Sequence, residues 1–121
     1  QGKKLFALRP DLMFSRGSRR VIGDTKWKLI DEKDISNKYG ISQADIYQLF
    51  AYSRKYLQDQ SYREVMLIYP ASDTFSSPLE PFWYQEGSDV LWVVPYDLEN
   101  EMLVLPEVSA LIENDLQLLV V

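Results

Sequence analysis

The chain has 121 residues, 46% hydrophobic and 26% charged, the size and composition of one soluble domain around one core. It contains no cysteine and no histidine, which excludes disulfides, thiolate zinc sites and acid–base or nucleophilic chemistry built on those residues. Any metal must be held by oxygen ligands, which points to Mg²⁺, Mn²⁺ or Ca²⁺, and any catalysis must run on carboxylates, Lys, Tyr or Ser. The segment from Lys4 to Phe14 reads as extended, interrupted at Arg9-Pro10-Asp11, because proline cannot donate a ladder hydrogen bond. Ser15-Arg16-Gly17-Ser18 is a turn signal. Arg19 to Leu29 reads as a second strand, with β-branched Val21 and Ile22 near its start, so the two form a hairpin. Asp31 to Gly40 is polar, a loop with partial helix. Ser42 to about Gln58 is the clearest helix: Ser42 is a good N-cap, Asp45 stands three residues on as in a capping box, and Ile46, Leu49, Phe50 and Leu57 make one apolar stripe. Val65 to Tyr69 is a short apolar run ended by Pro70, consistent with a buried strand. Ser72 to Pro81 is a loop. Phe82 to Tyr84, Val90 to Val94 and Met102 to Leu105 read as further short strands, and Glu107 to Leu119 as a terminal amphipathic helix. The order strand, strand, helix, strand indicates an α/β domain, a mixed sheet with one helix crossing over it.

The net charge is −5, yet it is unevenly spread. From Gln1 to Lys28 there are eight basic residues and two acids, Asp11 and Asp24, a local charge of +6 that leaves −11 for the remainder. Such asymmetry is compatible with a basic face for a phosphate backbone, and equally with solvated hairpin lysines and arginines. Trp92 lies among Leu91, Val93 and Val94 and reads as core; Trp27, alternating away from its neighbours, also reads as packing.

The residues that carry chemistry lie in the hairpin. In a strand, residues two apart share a face, so Asp24 and Lys26 project together while Thr25 faces away. If the hairpin closes around Gly17, Asp11 comes opposite Asp24. Two carboxylates and an ammonium on one face suit phosphodiester hydrolysis: the carboxylates hold a divalent ion that polarises the phosphoryl oxygen, and the lysine neutralises growing charge. The bland alternative is a surface ion pair between Asp24 and Lys26. On the helix, Asp45, Gln48 and Tyr52 share a stripe offset from the apolar one.

Leu8-Arg9-Pro10-Asp11-Leu12, then Asp24-Thr25-Lys26-Trp27-Lys28, then Asp45-Ile46-Tyr47-Gln48-Leu49-Phe50-Ala51-Tyr52 and Leu67-Ile68-Tyr69-Pro70, in this order, resemble the PD-(D/E)xK nuclease superfamily, and within it the McrC-like nucleases of modification-dependent restriction systems. The resemblance covers about residues 5–70. It implies a restriction-endonuclease-like mixed β-sheet flanked by helices. It implies that Asp11, Asp24 and the carbonyl of Thr25 bind Mg²⁺ or Mn²⁺, that Lys26 is the catalytic lysine, that Gln48 hydrogen-bonds near the metal-bound water or Lys26, and that Tyr52 supports that arrangement or contacts the DNA backbone. It further implies action on DNA as an endonuclease, with GTP used only by an AAA+ partner of the McrB type. Many members carry a glutamate on a helix before the first strand. The expectation is therefore that residues 1–121 are the C-terminal nuclease domain of a longer protein, without that helix.

Two other functions fit the same residues. One is a catalytically inactive module of this fold that binds DNA or a partner. The other is an exonuclease of the RecB or Cas4 type acting on DNA ends. No apolar run is long enough to span a bilayer, and the basic start is not followed by a signal-peptide stretch; with the resemblance, this gives a cytoplasmic expectation and no membrane partner.

Overall fold

Two antiparallel strands, β1 (Leu12–Arg16) and β2 (Arg19–Thr25), form a hairpin whose register runs from Leu12↔Gly23 to Arg16↔Arg19. The computed structural model describes residues 12–16, 18–34, 36, 38–60, 63–84, 87–105 and 117–120. The connection is tighter than the four-residue turn expected from sequence. Ser15 and Arg16 stay in the ladder, which leaves two residues between the strands, the favoured hairpin length. β2 is also shorter than expected and ends at Thr25. The Lys26 N–H makes one more rung, to the Ile68 carbonyl at 2.9 Å. The start of the expected first strand, including Asp11, lies outside the described residues.

From Trp27 the chain leaves the sheet and passes through a short 3-10 turn, Lys38–Gly40, where three successive residues have positive φ. Only Gly40 adopts this backbone without a Cβ penalty. Helix α1 (Gln43–Tyr56) follows, and its N-cap is the expected one: Ser42 Oγ accepts from the Asp45 N–H at 3.3 Å. The helix buries Leu49 and Phe50, with Leu57 just past its end, as the apolar stripe required, and also Tyr52 and Ser53. The chain then returns as β3 (Arg63–Pro70), parallel to β2. Parallel neighbours need such a crossover, because a short turn cannot bring the chain back to the same end of the sheet.

β5 (Asp89–Asp97) lies parallel to β3 on its other side. Two short antiparallel strands, β4 (Phe82–Tyr84) and β6 (Met102–Leu103), line its outer edge. β7 (Gln117–Val120) pairs antiparallel with β1. The order is β4-β5-β3-β2-β1-β7, with β6 also on β5, so the α/β mixed sheet expected from sequence is the fold. One expectation is corrected here. Glu107 to Leu119 reads as a helix, but Gln117–Val120 is a strand; the residues before it, 106–116, lie outside the described residues. The physical reason is the open edge of β1, whose backbone groups a short apolar segment can satisfy.

The central strands are buried on both faces, as parallel strands usually are. Ile22, Val65, Leu67, Tyr69, Leu91 and Val93 pack beneath α1. Val21, Met66, Ile68, Val90, Val94 and Trp92 pack with Phe14 on the other face, so Trp92 is core, as expected. On that second face sits a buried acid, Glu64. It accepts from Trp92 Nε1 at 3.0 Å and from Arg19 Nε at 2.7 Å.

Glu64 is the buried member of this group, whereas the Arg19 side chain is about one third exposed, so Arg19→Ala, which leaves the buried carboxylate without its counter-ion, should destabilise the domain by about 3–5 kcal/mol in urea unfolding. Gly23 has no room to grow: a Cβ there would stand 3.0 Å from the Phe14 ring and 3.5 Å from Ile68 Cδ1. Gly23→Val should therefore cost roughly 1–3 kcal/mol in the same assay.

Candidate active site

Ile22 points into the core beneath α1, and alternation carries Asp24 and Lys26 onto the same face. Both sit where β2 runs out, at the carboxyl end of the parallel strands β2 and β3. Open α/β sheets place ligands at such ends. The first turn of α1 arrives there too, because a crossover helix begins where its parent strand stops.

The three charged groups meet. Lys26 Nζ is 3.0 Å from Asp24 Oδ2 and 3.3 Å from Asp45 Oδ1. Asp24 is buried, at 6% exposure, and the lysine and Asp45 side chains are each about one quarter exposed. This is not the loose surface pair that the bland reading of Asp24 and Lys26 supposes. Burial by itself pulls the lysine pKa down, but the hydrogen bond and charge of Asp24 and the charge of Asp45 outweigh it. The net shift is upward from the ordinary 10.5, so Lys26 is an ammonium at neutral pH.

Tyr69 lies beneath this group, fully buried on β3. Burial pushes its phenol pKa up, and the charges of Asp45 and Asp24 push it further. It is therefore a neutral hydroxyl, and among the described residues that hydroxyl has no hydrogen-bond partner. An orphaned buried hydroxyl near two carboxylates is a place for a further polar species.

The remaining expected site residues fall as follows. Thr25 follows Asp24 at the end of β2 and is half-buried. Tyr52 is buried in the core under α1, whereas Gln48 is exposed. The helix residue that meets Lys26 is thus Asp45, one turn before Gln48. Asp11 lies outside the described residues, and among the described residues no group of three or more acids is gathered as a metal site. Asp45 was visible in the sequence as a capping residue and as a member of the helix stripe with Gln48 and Tyr52, but with no role of its own, and Tyr69 only as part of an apolar run. An apolar run does not signal chemistry, and the stripe alone did not say which of its residues would meet Lys26.

Two further observations bear on nucleic-acid binding. Trp27 is not packed as the sequence reading expected: it is 73% exposed, because β2 ends before it and the chain turns out of the sheet. It stands at a groove of about 460 Å³ lined by Lys26, Phe14, Ile68, Tyr96 and Leu103. The basic character of the first segment is partly used internally, since Arg19 pairs with Glu64 and Arg20 with Asp59. Lys28 remains exposed.

Residues 1–70, more than half of the chain, match the family model described as McrBC 5-methylcytosine restriction system component. No curated protein and no solved structure matches the chain. Among the described residues, no helix is long and apolar enough to cross a membrane.

The raised Lys26 pKa makes a pH prediction. A group whose pKa is higher folded than unfolded stabilises the fold fully below its unfolded value and loses that contribution as pH climbs through the folded one. The thermal midpoint of the wild type relative to Lys26→Met should stay constant up to about pH 10 and fall above it. A flat difference across the alkaline range would show that the carboxylates do not favour the ammonium.

Proposed function

The chain belongs to the McrBC 5-methylcytosine restriction system component family, and from that premise we propose that it is the part of the system that cuts DNA, a metal-dependent endonuclease of the PD-(D/E)xK type. The observation that carries this reading is the Asp24–Lys26 pair, on one face at the carboxyl end of β2, with 3.0 Å between carboxylate and ammonium. A surface ion pair needs neither that burial nor that position at the sheet's ligand-binding end.

Asp11, Asp24 and the Thr25 carbonyl are the proposed ligands of Mg²⁺ or Mn²⁺. The donor set suits a hard cation, since every candidate is an oxygen. The Tyr69 hydroxyl also fits a hydrated ion, because it offers a hydrogen bond that none of the described residues takes up. The hairpin register supports the pairing of the two acids: Leu12, bonded to Asp11, is the partner of Gly23, bonded to Asp24. When bound, such an ion supplies Lewis-acid polarisation of the phosphoryl group and acidifies water.

The chain's own groups do the rest. Lys26, held as an ammonium, donates hydrogen bonds and neutralises charge growing on the phosphate; it is not the base. Tyr52 anchors α1 against the sheet and so fixes the distance between the helix and Lys26. Gln48, exposed one turn beyond Asp45, is free to orient water or a phosphate oxygen. DNA is the substrate, and an AAA+ GTPase of the McrB type is the partner through which GTP acts. In this reading residues 1–121 are the nuclease domain of a longer cytoplasmic protein.

The test is cleavage of supercoiled plasmid by the full-length protein with its GTPase partner, in Mg²⁺ or Mn²⁺. Asp24→Ala and Lys26→Ala should each lower the rate by about 10²–10³-fold. A closed circle also separates this reading from an exonuclease, which has no end to start from. Plasmid left intact in every condition but still bound would mean a binding module instead.

A further inference from the structure

Lys26 has two counter-ions, and the nuclease reading gives a second task to only one of them. Asp24 faces the ammonium at 3.0 Å and is also the proposed metal ligand. Asp45 faces the same ammonium at 3.3 Å from another element, α1, and has no assigned task. We propose that Asp45 is a positioning residue: it holds the Lys26 ammonium from the helix, so that Asp24 is released to ligate a divalent cation. This rests on the reading of Asp24 as a ligand.

The argument is one of competition. A carboxylate already neutralised by an ammonium attracts a cation less strongly. An ammonium in a largely enclosed site cannot simply be abandoned, because an unpaired buried charge is strongly unfavourable. With Asp24 alone, metal and lysine would contend for one group. A second carboxylate removes the conflict, since an ammonium has three donors and can lean on either acid.

Asp45 is built to be that partner. Its backbone N–H is tied to Ser42 Oγ at 3.3 Å, which fixes the first turn of α1. The positive end of the helix dipole favours its charge there. Its place on a helix, and not on β2, lets it keep the lysine while Asp24 turns to another ligand. The simpler account is that Asp45 serves only the helix terminus and that its contact with Lys26 is incidental. That account predicts no link between Asp45, Lys26 and metal affinity.

A double-mutant cycle read by Mn²⁺ titration calorimetry decides, using the full-length protein. Asp45→Asn should weaken Mn²⁺ binding by about tenfold while Lys26 is present, and by less than about twofold in a Lys26→Met background. Asp45→Glu should restore most of the affinity. An equal loss in both backgrounds would overturn the proposal, because Asp45 would then act as a ligand or as a general negative charge. So would no loss in either, with the thermal midpoint alone reduced. If wild type binds Mn²⁺ and Asp24→Ala does not, the nuclease reading survives that result. If wild type binds no Mn²⁺, both fall together.

Discussion

Parallel pairing of β2 with β3 is the constraint on which the rest of the structure depends. Two parallel neighbours cannot be joined by a hairpin, so the chain must leave the end of β2 and cross the sheet before entering β3. That path puts the first turn of α1 over the last residues of β2. Asp24, Lys26 and Asp45 meet for this reason, although eighteen residues lie between the lysine and the second acid. The site is a product of the crossover more than of any local motif.

Burial then sets the chemistry. On an exposed strand, Asp24 and Lys26 would be a weakly coupled pair screened by water. Here Asp24 is buried and the lysine is mostly covered, so each charge depends on its partners. The outcome is a lysine held charged by two acids above a neutral tyrosine hydroxyl that has no partner among the described residues. That arrangement suits charge neutralisation at a phosphate and not proton abstraction. The opposite face of the sheet follows the same rule: Glu64 lies among apolar side chains, satisfied by Arg19 and Trp92.

Much of this was legible along the chain. The Ser42 cap, the apolar stripe of α1, the run from Val65 to Tyr69 and the core position of Trp92 are local patterns, and local patterns survive folding. Glu107 to Leu119 misled at its end because a short apolar segment suits helix and strand equally. The choice at Gln117–Val120 goes to whichever backbone partner is available, and the open edge of β1 supplies it. Trp27 misled for a related reason. Its burial depended on where β2 ends, and strand ends are set by pairing with β3, not by composition.

By itself the sequence limited the chemistry available: with no cysteine or histidine, oxygen donors and a lysine are what remain, and Asp24-Thr25-Lys26 on alternating positions puts two of them on one face. It also determined the helix and the buried strand, through periodicity. Only the tertiary structure decided that Asp45, not Gln48, meets Lys26 from the helix, that Tyr69 lies beneath them without a partner among the described residues, and that Trp27 stands in the open. Periodicity tells which side of an element is buried. It does not tell how far one element slides along another, and a single turn of α1 separates Asp45 from Gln48.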